Sequence, residues 1–177
     1  MNNAPANDVT DTAAAFAREN ARLADLAKGH TRGAKYDANM TGVEIAKAIR
    51  TDIKAAQKAG TLPAMTVSVR CESSSLHNAI RVFVKAWDGQ VWSTARALYD
   101  LRNPGAYNPT RCYSRSAEAV LDGLRAIVES YNYDRSDVQT DYFDVNFYST
   151  VDFSSSLRKA SKRDVENTIR SAFGVAS

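Results

Sequence analysis

The sequence predicts an α+β fold: a small antiparallel sheet of about three strands packed against helices as a two-layer sandwich. Three observations carry this. Thr41-Gly42-Val43-Glu44 is a capping box, and it opens a helix with Ile45, Ile49, Ile53 and Ala56 on one face. Two alternating segments follow, residues 65–72 and 77–87. A further helix opened by Ser116 carries Val120, Leu121, Leu124, Ile127, Val128 and Tyr131 at core spacing.

In chain order, residues 1–40 are expected to form an N-terminal arm and linker, 41–157 the core domain and 158–177 a C-terminal helix. Asp11 or Thr12 caps an arm helix running to Lys28, ended by Gly29. Its buried stripe (Phe16, Asn20, Leu23, Ala24, Ala27) is narrow and Ala-rich. Such an arm is open to pairing with a second copy or to wrapping its own sheet. Residues 29–39 read as linker. Gly60 and Pro63 stop the helix that Thr41 opens. In the first strand Met65, Val67, Val69 and Cys71 point one way; Ser68, Arg70 and Glu72 point the other. Ser73-Ser74-Ser75 turns the chain. In the second strand Ile80, Val82, Val84 and Ala86 alternate with Arg81, Phe83, Lys85 and Trp87, and Asp88-Gly89 ends it. Val91, Ala95, Leu98 and Tyr99 share a face of a short helix over 91–101. Asn103-Pro104-Gly105 and Asn108-Pro109 make a loop. A last strand, 141–153, puts Phe143, Val145, Phe147 and Val151 on one side and Tyr142, Asp144, Asn146, Tyr148 and Asp152 on the other. Ser161 caps a closing helix over 162–173, with Val165 and Ile169 inward.

A chain of 177 residues buries one real core. Its net charge of +3 is too small to declare a nucleic-acid partner. The distribution says more. Residues 131–157 carry Asp134, Asp137, Asp141, Asp144 and Asp152 against Arg135 alone, whereas 158–177 carry five cations against Asp164 and Glu166. Two cysteines, Cys71 and Cys112, without short spacing favour a reducing compartment. The N-terminus lacks the basic start and apolar run of a signal peptide, and no stretch is apolar enough to span a membrane. A soluble cytoplasmic protein without membrane contact is expected.

Catalytic chemistry is thinly represented. His30 and His77 are the only histidines, and no Gly-rich phosphate loop, nucleophile elbow or HExxH is present. Cys71, His77 and Cys112 offer the parts of a zinc site, but a buried Cys beside a surface His accounts for them more simply. Asp141, Asp144 and Asp152 could suggest magnesium, yet they alternate with Tyr and Asn as a wet strand face does. A non-enzyme without metal or cofactor is expected. Binding chemistry is better represented. If the strands pair, the face away from Ile80 gathers Arg70, Arg81, Phe83, Lys85, Trp87, Tyr142 and Tyr148, the cations and flat rings that base stacking and phosphate pairing need. Lys47, Arg50, Lys54 and Lys58 form a stripe on the first core helix, within roughly 80° of one another. The bland alternatives are a second core around Phe83 and Trp87 under a terminal helix, and an ordinary solvated helix face.

Ala46-Lys47-x-Ile49-Arg50-x-x-Ile53-Lys54, Val67-Ser68-Val69-Arg70, the Ser-rich turn, Ile80-x-Val82-x-Val84 and Trp87-Asp88-Gly89 resemble one of the large polyvalent protein-associated domain families. Tyr142-Phe143-Asp144-Val145 and Phe147-Tyr148-Ser149 fit its closing strand, so the resemblance spans about Thr41 to Phe153. The family's strand more often ends Trp-x-Asp-Gly-Pro, and the Arg before its terminal Ser is absent at Asn146–Tyr148. The resemblance implies a protein of a phage, plasmid or other mobile element, acting in the host cytoplasm. The leading expectation is a non-catalytic inhibitor of a host defence system, of anti-CRISPR or anti-restriction type. Asp134, Asp137, Asp141, Asp144 and Asp152 would present it to a protein or protein–nucleic acid partner as a mimic of phosphates. The alternative is a DNA- or RNA-binding accessory domain using the sheet face and the basic stripe.

Overall fold

The computed structural model describes residues 16, 17, 19–21, 23–26, 28–73, 78–107, 112–136 and 144–173. The elements are β1 (Thr31–Arg32), α1 (Gly42–Lys58), β2 (Thr66–Ser73), β3 (Asn78–Ala86), α2 (Thr94–Arg102), α3 (Arg115–Glu129), β4 (Tyr133–Asp134), β5 (Tyr148–Phe153) and α4 (Ser155–Phe173). α1 starts as its sequence dictates. The Thr41 hydroxyl accepts from the Glu44 amide at 3.3 Å and the Glu44 carboxylate accepts from the Thr41 amide at 2.8 Å. Gly60, at φ +75°, supplies the left-handed residue that ends it.

The main sheet has the order β2-β3-β5. Ile80, Val82 and Val84 of β3 are fully buried beneath α1 and α3, against Ile49, Ile53, Leu121, Leu124 and Phe153. Helices on one face of a small sheet give the two-layer α+β architecture that the sequence predicts. The strand pairing differs in one respect. β2 and β3 are antiparallel, but β3 and β5 run parallel, with Ala79 opposite Tyr148 and Val84 opposite Phe153. The chain between them runs through α2 and α3, a crossover that returns it to the same end of the sheet, as parallel pairing requires.

Other expectations are corrected locally. The last strand begins at Tyr148 rather than 141, because Val145 bridges Asp134 instead. Tyr142 and Phe143 lie outside the described residues. The expected linker contains β1, which pairs with β4. Gly33 follows it so closely against the end of α3 that a Cβ would meet the Glu129 and Ser130 carbonyl oxygens at 2.3 Å. α2 starts at Thr94, capped by Ser93, and Val91 belongs to the main core. α4 starts at Ser155. Ser161 is not its cap but lies within it, where its hydroxyl accepts from the Val91 and Trp92 amides at 3.1 and 3.0 Å. Val165 and Ile169 do point inward, onto Ala97 of α2.

The arm is turned round relative to its expected stripe. Residues 16, 17, 19–21 and 23–26 are helical, with Phe16, Asn20, Leu23 and Ala24 exposed. Ala27 lies outside the described residues; among the described residues of the arm the buried one is Asp25, which accepts from the Tyr133 hydroxyl at 3.0 Å and pairs with Arg32 at 2.6 Å. An ion pair and a hydrogen bond outrank a thin Ala stripe in fixing which side faces in.

Candidate functional site

Register decides which side chains share the open face of the sheet. Arg70 lies opposite Arg81, Ser68 opposite Phe83, and Phe83 opposite Asp152. Arg70, Lys85 and Tyr148 are exposed, and Arg81 and Phe83 are half-buried. The Lys85 ammonium stands 5.7 Å from the centre of the Phe83 ring. Like charges directly opposite across two strands repel. Glu72 offsets only one of the two: it accepts from Arg81 Nε at 2.5 Å, and Arg70 is left as the uncompensated member among the described residues.

α1 brings two members of the second basic set, Arg50 and Lys54, to the edge of β2. Lys47, Arg50, Lys54 and Lys58 are all exposed. Arg50 donates to the Val69 carbonyl at 2.7 Å, and Gln57 donates to the Met65 carbonyl at 2.8 Å. These two side chains tether α1 along the free edge of β2. They leave a groove of about 430 Å³ lined by Arg50, Lys54, Gln57 and Thr66 among others. A neighbouring hollow of about 350 Å³ contains Arg50, Arg70, Cys71 and Glu72. Arg50 lines both, so the helix stripe and the sheet face meet around the β2 edge.

Trp87 does not join this surface. β3 ends at Ala86, the alternation stops, and the Trp87 ring stacks on Phe153 at 5.7 Å in the main core. Tyr142 lies outside the described residues. Of the described members of the acidic set, Asp134 and Asp144 lie side by side where Asp134 bridges Val145, and Asp152 is on β5. Asp137 and Asp141 are likewise outside the described residues. Asp144 is ion-paired with Arg135; Asp152 pairs with Arg158 at 3.2 Å and accepts from the Tyr113 hydroxyl at 2.5 Å. Asp134 is exposed and accepts from the Ser136 amide. Burial and the bond to Asp152 push the Tyr113 hydroxyl up to about 12, so it stays a donor at neutral pH.

Cys71 packs against Gly42 at the start of α1, whereas Cys112 is exposed beside Ser93; His77 lies outside the described residues. Among the described residues no three His, Cys, Asp or Glu side chains gather at one point. No described helix is long and apolar enough to cross a membrane.

A second polar cavity escaped the sequence reading. It lies beside the β1–β4 pair and is lined by Arg32, Lys35, Tyr36, Tyr131, Tyr133 and Arg135. Its signal was present as interleaved cations and tyrosines, Arg32-x-x-Lys35-Tyr36 and Tyr131-x-Tyr133-x-Arg135. Reading 29–39 as a linker separated the two halves. No family model, curated protein or solved structure matches the chain.

Proposed function

We propose that the chain is a non-catalytic nucleic-acid-binding module. Its binding surface is the open face of β2-β3-β5 together with the exposed stripe of α1. The carrying observation is the pair of hollows at the β2 edge, which share Arg50 and join Arg70 of the sheet to Lys54 of the helix. Phosphates occupy this basic track, and the ring faces of Phe83 and Tyr148 take unpaired bases. The opposed Arg70 and Arg81 give the free face a repulsion that a bound phosphate relieves.

Titration of fluorescent oligonucleotides at several salt concentrations tests this. Affinity falls steeply with salt, with a slope of about −0.7 per phosphate neutralised on a single strand. Lys54→Glu with Arg70→Glu flattens that slope, and Phe83→Ala removes about 1–3 kcal/mol. Failure to bind any DNA or RNA at low salt ends this reading.

A second reading, inhibition of a host defence protein, is favoured by a different observation: Phe16, Leu23 and Leu26 of the arm face outward, 70%, 52% and 48% exposed. Such residues suit a protein partner. Pull-down from a host lysate with and without nuclease separates the two, since protein contacts survive the nuclease and nucleic-acid bridges do not.

A further inference from the structure

The cavity beside β1 and β4 has about 780 Å³, and three cations enter it from different segments: Arg32 from β1, Lys35 from the turn after it, and Arg135 from the end of β4. Each is held by a carboxylate that stands outside the lining. Asp25 holds Arg32 at 2.6 Å, Asp52 holds Lys35 at 2.5 Å, and Asp144 holds Arg135. The carboxylates fix where the cations point without occupying the space they face. Asp37, the acidic residue in the lining, commits one oxygen to its own loop, where Oδ1 accepts from the Asn39 amide at 2.9 Å and the Asn39 side chain at 3.1 Å.

The floor is equally fixed. Tyr131 and Tyr133 are buried, and their hydroxyls donate to Asp52 at 2.7 Å and to Asp25 at 3.0 Å. Both guanidiniums lie over the single Tyr133 ring, Arg32 at 4.6 Å and Arg135 at 5.2 Å from its centre. Both also line the cavity, where an oxyanion can use the guanidinium N–H groups that the carboxylates leave over. A phosphate monoester matches this best, with two charges and three acceptor oxygens for three converging cations. Tyr36, half-buried and 5.0 Å from Tyr133, offers a ring to a flat group attached to that phosphate.

We propose that this cavity binds a small phosphate ester of mononucleotide size through Arg32, Lys35 and Arg135. The site is separate from the sheet face, and its test is independent of the nucleic-acid reading. Calorimetric titration of the full chain with adenosine monophosphate, adenosine and inorganic phosphate at low salt is the experiment. The monophosphate saturates one site, and adenosine and inorganic phosphate each bind at least about tenfold more weakly. Lys35→Gln and Arg135→Gln each weaken the monophosphate by about tenfold. Both side chains are about half exposed, so the fold survives their loss, which a melting curve that stays cooperative, if shifted down by the lost ion pair, verifies. Lys54→Glu on α1, in the groove at the β2 edge and outside this cavity's lining, leaves this binding intact. The proposal is overturned by absence of saturable binding, by adenosine binding as well as its monophosphate, or by variants that bind like the parent. Inorganic phosphate binding as tightly as the ester would assign the site to free phosphate and equally overturn it.

Discussion

Asp52 shows how one carboxylate ties distant segments together. It sits on α1, accepts from Lys35 of the β1–α1 turn at 2.5 Å, and accepts from the Tyr131 hydroxyl beyond α3 at 2.7 Å. Burial pushes its pKa up, but the Lys35 and Tyr131 hydrogen bonds and the Lys35 charge more than reverse this, and the carboxyl lies below its ordinary value. The sign follows. The folded state holds this proton more weakly than the unfolded chain, so the stabilisation is complete above the unfolded value of about 3.9 and is lost as pH falls through the lower folded value. Asp52→Asn is expected to cost about 1–3 kcal/mol at pH 7. Melting temperatures measured from pH 7 down to acid should converge for variant and parent; curves that stay parallel would remove Asp52 as the acid-sensitive group. None of this was legible in the sequence. Asp52 stands outside both the apolar and the basic stripes of α1, and its partners are 17 and 79 residues away.

At the level of elements, legibility followed the strength of local patterning. α1 was readable because cap, apolar stripe and stop agree over many residues, and the cap geometry of Thr41 and Glu44 is the one the sequence implied. α3 was readable from its apolar stripe alone: its cap is Ser114, whose hydroxyl accepts from the Ala117 amide at 3.1 Å, and not Ser116, which lies inside the helix. The arm was readable as a helix but not in orientation, since a weak Ala stripe was overruled by the buried Asp25. β1 and β4 have two residues each, too few for any periodicity to announce them. The edge of β2 adds a feature that patterning cannot reveal, because Gln57 serves the sheet from a helix. Gln57→Ala should cost about 0.5–1.5 kcal/mol in chemical denaturation. Because Gln57 also lines the groove, the same variant should weaken oligonucleotide binding, but without the change in salt slope that Lys54→Glu brings.

Across the whole molecule, stability and surface separate cleanly. Leu124 is fully buried in the main core, and Leu124→Ala should lose about 2–5 kcal/mol. Leu23 of the arm is 52% exposed, and Leu23→Ser should change stability by no more than about 0.5 kcal/mol. A large loss at Leu23 would mean that a second copy or another segment covers it in solution. The open sheet face was legible in outline because alternation assigns Arg70, Arg81, Phe83 and Lys85 to one side wherever the strands pair. Trp87 was misassigned because alternation carries no information about where a strand stops. The direction of β5 was hidden for a related reason: pairing sense depends on the path of the connecting chain, not on the strand's own residues. That direction gives the two sides of β3 different histories during folding. Toward β2, Asn78 meets Ser73 with only four residues between them in the sequence, a closure that costs little chain entropy. Toward β5, Ala79 must wait for Tyr148, after α2 and α3 have been drawn in between. In pulse-labelling during refolding, backbone amides on the hairpin side of β3 should gain protection first, and those facing β5 only when the last strand slots in.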